Sequence, residues 1–407
     1  MKTLLRFLAV AGPGIVVMFA DTEAGSITTA AASGAQFGYK LILLQLLLIV
    51  PLFVVQEMTV RLGTVTGKGH ARLIRENYGL GWASISLGTM FVTNVAALVT
   101  EFAGIAGAAG IFGVSPPLLV IVAALLLCMV IFTASYKRAE AFALALCAIE
   151  LLFFPAALAS HASLHDIVTT GILSRQPLGD RAYLLLVASN IGAVIMPWMI
   201  FYQQSAVVDK GLREGDLPYA RADTAIGALI TQGIMCAIIV TAAATLFAHR
   251  IALVDAAHAA IALVPLLGRF AGVTFGAGLI GASMLGAFVV SLATAWAFGE
   301  AFQWRCSLND GLRAKRFVSL YLACVVVAAA IVLIPGLPLV RITVDVEAFN
   351  GFVLPIVLTF LLVLVNDRRV IGDRHNRLPE NLITASLSLA VVMLGIWMAV
   401  RTLVPSG

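Results

Sequence analysis

Long apolar runs divide the whole chain, and this pattern limits its fold more than any other feature. A helix needs about 20 apolar residues to cross the hydrocarbon core of a bilayer. On that measure the sequence predicts about eleven spans, near residues 10–33, 39–62, 84–112, 116–135, 139–159, 183–208, 222–248, 272–302, 317–335, 348–366 and 381–403. The connections are short, so we predict an all-α polytopic membrane protein with a single transmembrane domain over 1–407.

The composition agrees with lipid as the main solvent. The chain is 61% hydrophobic and 12% charged, whereas a soluble domain is about half apolar and a quarter charged. A net charge of +5 does not indicate a nucleic-acid partner, because the basic residues stand in short loops between apolar runs. The five cysteines form no CxxC pair, which argues against a disulfide framework and a zinc site. We expect the apolar stretch after Lys2 and Arg6 to be a retained span, since no convincing cleavage site follows it.

The distribution of Lys and Arg predicts an orientation. If the N-terminus is cytoplasmic, 19 of the 26 basic residues lie in cytoplasmic loops, as the positive-inside rule requires. The other seven are Lys40, Arg175, Arg181, Arg250, Arg269, Arg341 and Arg401. One span more or fewer would spoil this bias. We therefore expect an integral protein of a bacterial inner membrane with its C-terminus outside.

Two spans carry the pattern of a helix broken at mid-membrane. The first span holds Asp21–Ser26 (DTEAGS), and the sixth holds Asn190–Ala193 followed by Met196 and Pro197. Each begins a run of about five spans, and matching breaks in two halves indicate a transporter site. We predict a first repeat over about 10–159, a second over about 183–366, and an extra helix over about 381–403.

Asp21 and Glu23 are the residues that most strongly indicate function. A carboxylate at the bilayer centre costs at least about 2.5–3.5 kcal/mol, so two of them need compensation, and a cation supplies it. A break at Gly25 also frees backbone carbonyls, which are hard oxygen ligands. The alternative is a structural pair bonded to neighbouring Ser, Thr or backbone groups. Met196 would favour softer transition metals as a ligand, or else it only fills a gap.

The remaining motifs restrict the function further. Glu101 is the acid best placed for an ion or proton path, whereas we expect Glu57 and Glu300 near an interface, solvated or paired. Gly276–Gly281 matches GxGxxG, but no strand precedes it, so we interpret it as close helix packing. There is no Walker motif and no histidine in a nucleophile motif. We therefore expect no enzyme activity and no cofactor.

Several short motifs resemble the Nramp family of divalent metal transporters. They are Gly12–Gly14 (GPG), Gly34–Lys40 (GAQFGYK), Arg61–Lys68 (RLGTVTGK), Lys137–Glu140 (KRAE) and Gly192–Pro197 (GAVIMP). The resemblance covers most of the chain. It implies eleven spans, a LeuT-type inverted repeat with broken first and sixth helices, and proton-coupled uptake of Mn²⁺ or Fe²⁺.

The same resemblance implies a set of metal ligands. The family's first-span motif is Asp-Pro-Gly-Asn, and alignment without gaps from Gly12 or Gly34 places Glu23–Ser26 (EAGS) on it. Glu23 then replaces the metal-binding Asp, and Ser26 replaces the Asn. Asp21 is an additional acid, although a register that uses Asp21 itself remains open. Met196 is the family's methionine, and Ala193 lies where a backbone carbonyl helps to bind metal.

The sequence departs from the family at groups linked to proton movement. Trp198 and Gln203 occupy the positions of two family histidines. In the third span Thr100–Gly104 (TEFAG) matches a Thr-Asp-Leu-Ala-Glu pattern, so the first acid survives as Glu101 and the second has become Gly104. The resemblance thus implies a divergent branch, nearer to the Nramp-related magnesium transporters.

These observations predict a secondary transporter for a divalent cation of the Mn/Fe/Mg class. Its site is expected to comprise Asp21, Glu23, Ser26, Ala193 and Met196, with Glu101 nearby as a proton site. The metal is its substrate and the lipid bilayer its surroundings. Two alternatives stay open, an amino-acid or organic-cation transporter of the same fold and a non-transporting membrane sensor. The oligomeric state and the direction of transport stay open as well.

Overall fold

A computed structural model of the chain describes residues 2–133, 135–251, 253, 268–337 and 339–403. Throughout these residues the regular secondary structure is helical. The α-helices are α1 (Lys2–Val10), α2 (Pro13–Ala20), α3 (Ala24–Phe37), α4 (Ile42–Thr66), α5 (His70–Ala108), α6 (Pro116–Ile131), α7 (Tyr136–Glu150), α8 (Phe153–Ala159), α9 (Leu164–Asp166), α10 (Arg181–Val194), α11 (Pro197–Asp209), α12 (Leu217–Ala242), α13 (Arg269–Ala301), α14 (Lys315–Val332), α15 (Leu339–Asn366), α16 (Arg368–Ile371) and α17 (Leu378–Leu403).

A helix or a pair of helices lies on each of the eleven predicted spans. Within the described residues, seven helical segments are long and apolar enough to cross a membrane, or eight if the bent pair Thr3–Val10 and Pro13–Ala20 is counted as one span. Pro116–Ile131 is apolar but shorter. The polytopic all-α fold is therefore confirmed, and the chain is an integral membrane protein.

The third span differs from its predicted start at residue 84. The helix α5 begins at His70, and it contains a kink at Gly79, whose φ of 87° lies in the region that favours glycine. Its first turns contain the charged residues Arg72, Arg75 and Glu76, which lower the hydropathy there, so this part was not predicted as a span. The apolar pattern marks the part of a helix that meets lipid, so it missed about four further turns at the start of α5.

Of the seven long apolar segments, α13 is the most deeply buried. In the most apolar stretch of α13, 83% of the residues are buried, against 33% for Tyr136–Ala159. Close packing explains the glycines of α13, because a Cβ at Gly276, Gly278 or Gly281 would press on side chains of the neighbouring segments. These glycines are a packing surface, as the sequence predicted.

Several polar loops lie at one end of this bundle. There α4 ends, α5 and α12 begin, and Glu57 forms salt bridges of 3.0 Å to Arg61 and 2.6 Å to Arg221. At the same end Lys210 lies 2.7 Å from Glu140. We call this end, which holds Arg61, Arg221 and Lys210, the basic end.

Candidate functional site

The first span is interrupted at Asp21–Glu23, as predicted. The helix α2 closes with bonds from the Asp21 and Thr22 amides to the carbonyls of Met18 and Phe19. Glu23 is extended, with φ −81° and ψ 176°, and α3 starts at the next residue. The side chains of Asp21 and Glu23 are 2% and 0% exposed. Two carboxyl groups therefore lie at a helix break inside the bundle.

The sixth span is interrupted at Ile195–Met196, again as predicted. Both residues are extended between α10 and α11. Pro197 occupies the first position of α11 and has no N–H. In a continuous helix the Ala193 carbonyl would accept a bond from the amide of residue 197. Because Pro197 has no amide hydrogen, the Ala193 carbonyl is left for another partner.

The two breaks meet through that carbonyl. The hydroxyl of Ser26, in the first turn of α3, donates a hydrogen bond of 3.1 Å to the Ala193 oxygen. Ser26, Ala193 and Met196 are all fully buried. The structure thus brings together two helix breaks that are about 170 residues apart in sequence, and the residues at the junction are closed to solvent from both ends.

Met196 has a hydrogen-bonded sulfur. The indole N–H of Trp198 donates to Met196 Sδ at 3.2 Å, and the Met196 amide lies 3.4 Å from Met199 Sδ. Trp198 and Met199 are also buried. Thioether sulfur is a weak acceptor, so this contact holds the side chain at the break with little energy.

Glu101 reaches the first break from α5. Its Oε2 accepts a bond of 3.4 Å from the amide of Ala24, the first residue of α3. Its side chain also lies against Gly286 of α13, where a Cβ would collide with the carboxyl group. Glu101 is fully buried. The predicted proximity of this acid to the break is therefore observed, and its carboxyl lies at the positive end of the α3 dipole.

Packing explains the missing second acid of the third span. A Cβ at Gly104 would lie 2.6 Å from Ser283 Oγ and 2.7 Å from the Cβ of Ala24. Since contacts under 3.0 Å force a shift, no larger side chain fits here while α3, α5 and α13 keep their positions. The space that a second acid would need is filled by the start of α3.

Gln203, at the other position where the resemblance places a histidine, joins three helices. Its Oε1 accepts a bond of 3.2 Å from Thr59 of α4, and its Nε2 donates at 2.8 Å to Thr224 of α12. All three side chains are buried. Both functional atoms of the amide are thus used in a fixed network, and an amide does not titrate.

Of four further buried polar side chains in the helices, three have a polar partner and one accepts no hydrogen bond. Glu57 is paired, as expected, and Glu300 accepts a bond of 2.6 Å from Ser205. Asn94 donates to Thr294 at 2.8 Å. Among the described residues, Glu150 is fully buried and neither of its oxygens accepts a hydrogen bond.

Asp223 is a site-positioning acid that the sequence analysis missed. It lies on α12 and accepts bonds of 3.1 Å from the Gly12 amide and 2.7 Å from the Gly14 amide. It therefore caps α2 from another helix, and α2 leads directly to the first break. An acid at the second residue of the predicted seventh span was a visible signal, but its partners about 210 residues away were not.

The junction is not a preformed cage of metal-binding side chains. In the described parts of the chain, no three His, Cys, Asp or Glu side chains are grouped closely enough to hold a metal. The available donors are instead mixed: the carboxylates of Asp21 and Glu23, the Ser26 hydroxyl, the Ala193 carbonyl and the Met196 sulfur. Such a set suits a cation that accepts oxygen ligands and one soft ligand.

Comparison with known proteins yields one family and several related sequences. A family model described as natural resistance-associated macrophage protein-like (Nramp) matches residues 14–401. A protein of Ralstonia nicotianae named divalent metal cation transporter MntH is 27% identical over 417 aligned residues, covering 99% of this chain and 92% of the relative. A protein of the same name from Burkholderia ambifaria is 24% identical and covers 97% and 89%.

Solved structures share the fold at lower identity. A manganese transporter of Eremococcus coleocola, crystallised with an aromatic bis-isothiourea compound, has a TM-score of 0.77 and 18% identity, covering 96% of this chain and 85% of that one. MhsT in complex with L-phenylalanine has a TM-score of 0.64 and 14% identity, covering 95% and 97%. The fold therefore occurs in proteins with quite different ligands.

Proposed function

The chain belongs to the Nramp family, and on that premise we propose that it is a secondary transporter that moves a divalent metal cation across the membrane. The two relatives described above are named divalent metal cation transporters, and the alignment with this chain covers nearly their whole length. The manganese transporter of Eremococcus coleocola has the same fold. Both relatives come from bacteria, which supports the bacterial inner membrane as the location of this chain.

One observation carries this proposal, namely the hydrogen bond between Ser26 and the Ala193 carbonyl. It joins the break that holds two acids to the break that holds a thioether and a carbonyl without a partner in its own helix. It also supports the alignment in which Ser26 takes the place of the family's Asn, and with it Glu23 as the primary ligand. A cation at this junction would compensate the buried charge of Asp21 and Glu23.

The ligand set favours Mn²⁺ or Fe²⁺ over Ca²⁺. Two carboxylates, a hydroxyl and a carbonyl are hard ligands that suit any of these ions. The Met196 sulfur adds a softer ligand, which Ca²⁺ and Mg²⁺ do not use. The Trp198 indole donates one hydrogen bond to this sulfur, and the second lone pair of the thioether is left for the metal.

Transport requires that the buried junction open to each side in turn. We propose that the repeats over about 10–159 and 183–366 rock around the two breaks. At the basic end, opening would break the bonds that the Gly12 and Gly14 amides donate to Asp223. It would also break the bond of 2.7 Å that Lys210 donates to the Ala11 carbonyl. At the other end it would break the bonds of Asn190 to Gln45 and Ser33. With the N-terminus inside, the basic end is cytoplasmic.

The test is metal uptake by the full chain in proteoliposomes with Mn²⁺ as substrate. Glu23→Gln keeps the shape of the side chain and removes its charge, so uptake should fall to the level of empty liposomes. Binding of Mn²⁺ by isothermal titration calorimetry should be lost in parallel. Unfolding temperature and size-exclusion profile establish that the variant is folded.

A serine pair provides the matched control for the junction. Ser26→Ala removes the bond to Ala193, whereas Ser189→Ala on α10 removes only a bond of 3.0 Å within its own helix. Uptake should fall in the first variant and be unchanged in the second. Wild-type uptake by folded Glu23→Gln, or equal behaviour of the two serine variants, would refute this site.

A further inference from the structure

The helix α14 is flanked by two cavities of different character. Between α5 and α14 lies an apolar groove of about 100 Å³, lined by residues that include Phe91, Leu320, Ala323 and Val327. At the start of α14, at the basic end, lies a cavity of about 320 Å³. Neither cavity touches the metal junction. We call the first the α14 groove and the second the basic pocket.

The basic pocket is rich in uncompensated positive charge. Its lining includes the side chains of Arg305, Arg313, Lys315 and Arg316, and all four are exposed. Within the described part of the chain, no acidic group lies within 4.0 Å of any of the four in a salt bridge, although Asp310 belongs to the same loop.

The first turn of α14 faces the same loop without a side-chain cap. Its N-cap is Ala314, which lines the basic pocket and has no side chain to accept a bond from the first amides of the helix. A helix N-terminus of this kind attracts an anion. With four cations around it, the pocket suits a phosphate group, because arginine binds phosphate in a forked geometry.

A row of aromatic rings joins the pocket to the groove. Phe91, which lines the groove, lies 5.6 Å from Phe298, and Phe298 lies 6.0 Å from Phe302. Phe302 then stacks on Trp304 at 5.6 Å. The Arg316 guanidinium lies over the Trp304 ring at 5.3 Å from its centroid. The row therefore runs without a gap from an apolar surface to a cationic one.

The helix α14 makes the same connection along one face. Arg316, Leu320, Ala323 and Val327 follow the spacing i, i+4, i+7 and i+11, which places them on one side of a helix. Leu312 beside the pocket is 63% exposed, and Val327 in the groove is 51% exposed. One continuous strip thus changes from charged to apolar.

We propose that this strip binds one anionic phospholipid, with the phosphate of the headgroup in the basic pocket and an acyl chain in the α14 groove. The charge of the pocket selects an anion, and the continuity with a lipid-facing groove selects a lipid over a soluble phosphate. Tryptophan and cationic residues at the level of lipid headgroups have this role in membrane proteins. The site is separate from the metal junction and does not depend on transport.

The experiment measures quenching of tryptophan fluorescence in the detergent-purified full chain by lipids brominated on their acyl chains. Phosphatidylglycerol is compared with phosphatidylcholine, and Trp304→Phe identifies the part of the signal that comes from the strip. We expect saturable quenching by phosphatidylglycerol, with an apparent affinity at least about tenfold higher than for phosphatidylcholine.

Two matched pairs of variants separate the parts of the site. Arg313→Gln with Arg316→Gln should weaken phosphatidylglycerol binding by about tenfold or more, since each cation near anionic lipid contributes roughly fivefold. Lys137→Gln with Arg138→Gln, two cations at the same end on α7, should leave it unchanged. Ala323→Phe, which fills the groove, should weaken binding. Val326→Phe, at an exposed position of α14 that does not line the groove, should not.

Three outcomes would overturn the proposal. One is equal quenching by the two lipids, and another is equal loss in the two charge variants. The third is displacement of phosphatidylglycerol by glycerol phosphate at equal concentration, with Ala323→Phe behaving as wild type. That result would identify a pocket for soluble phosphates that does not use the groove.

Discussion

The two helix breaks occupy matching places in the fold but offer different chemistry. The first contains Asp21 and Glu23 and no proline, whereas the second is Ile195–Met196, uncharged and followed by Pro197. The first break supplies charge, and the second supplies a carbonyl that Pro197 leaves without its helical partner. The donors of the second break would not bind a dication well alone, because a carbonyl and a thioether leave its charge uncompensated in a medium of low dielectric.

This asymmetry predicts that loss of charge in the first break has the largest effect. Asp21→Asn keeps the size of the side chain and removes its charge, and the second break holds no acid to replace it. We expect the initial rate of Mn²⁺ uptake to fall at least about tenfold, which corresponds to about 1.4 kcal/mol. Uptake into proteoliposomes under a fixed metal gradient measures it.

The control for that substitution is Asp180→Asn. Asp180 caps α10, the helix that leads into the second break, by accepting bonds from the Ala182 and Tyr183 amides. Asparagine caps a helix about as well as aspartate, so uptake should not change. If Asp21→Asn transports like wild type while Glu23→Gln is inactive, one acid supplies all the charge of the first break.

Substitution of Pro197 should reduce uptake less than substitution of the acids, and it tests the contribution of the second break. Pro197→Ala restores an amide that competes with the Ser26 hydroxyl for the Ala193 carbonyl. One hydrogen bond contributes about 1 kcal/mol net, so we expect uptake to fall by roughly fivefold. The same uptake assay measures it.

Pro116→Ala is the matched control for that change. Pro116 also stands at the first position of its helix, α6, far from the junction. Its substitution should leave uptake unchanged. Should the two proline variants behave alike, the Ala193 carbonyl is not part of the transport site.

The sequence predicted the breaks better than it predicted what surrounds them. Acids and prolines inside apolar runs are local signals, so Asp21, Glu23 and Pro197 marked both interruptions correctly. The resemblance and its fold predicted that Ser26 and Ala193 would lie together with Glu101 nearby, since spacing alone does not bring distant spans together. The bonds of Ser26 to Ala193 and of Glu101 to Ala24 came from the structure.

Other features were invisible because they depend on partners far apart in the chain. Asp223 binds the amides of Gly12 and Gly14 across about 210 residues, and no periodic pattern records such a bond. Likewise, Gly104 appeared in the sequence only as a missing acid. The structure gives the physical reason, which is that Ala24 and Ser283 fill the space beside it.

The smallest effect we predict is that of protons on uptake, because the two breaks differ in their titratable groups. On the side of the second break, Trp198 and Gln203 stand where the resemblance places histidines, and neither side chain titrates. The first break holds Asp21 and Glu23, with Glu101 beside it. Protons should therefore compete with metal at the first break, while no titratable chain continues through the second. We expect Mn²⁺ uptake to slow at acid pH, with little or no stoichiometric proton influx.

Liposomes loaded with a pH dye test this under a saturating Mn²⁺ gradient across a membrane with equal pH on both sides. Competition alone predicts that lowering the external pH reduces uptake, that excess Mn²⁺ restores it, and that the luminal dye stays constant. Glu101→Gln should then change the rate without changing the dye signal. Metal-dependent acidification of the lumen that Glu101→Gln abolishes would show the opposite. In that case Glu101 and the acids of the first break form a coupling device by themselves, and the chemistry of the second break is not needed for proton movement.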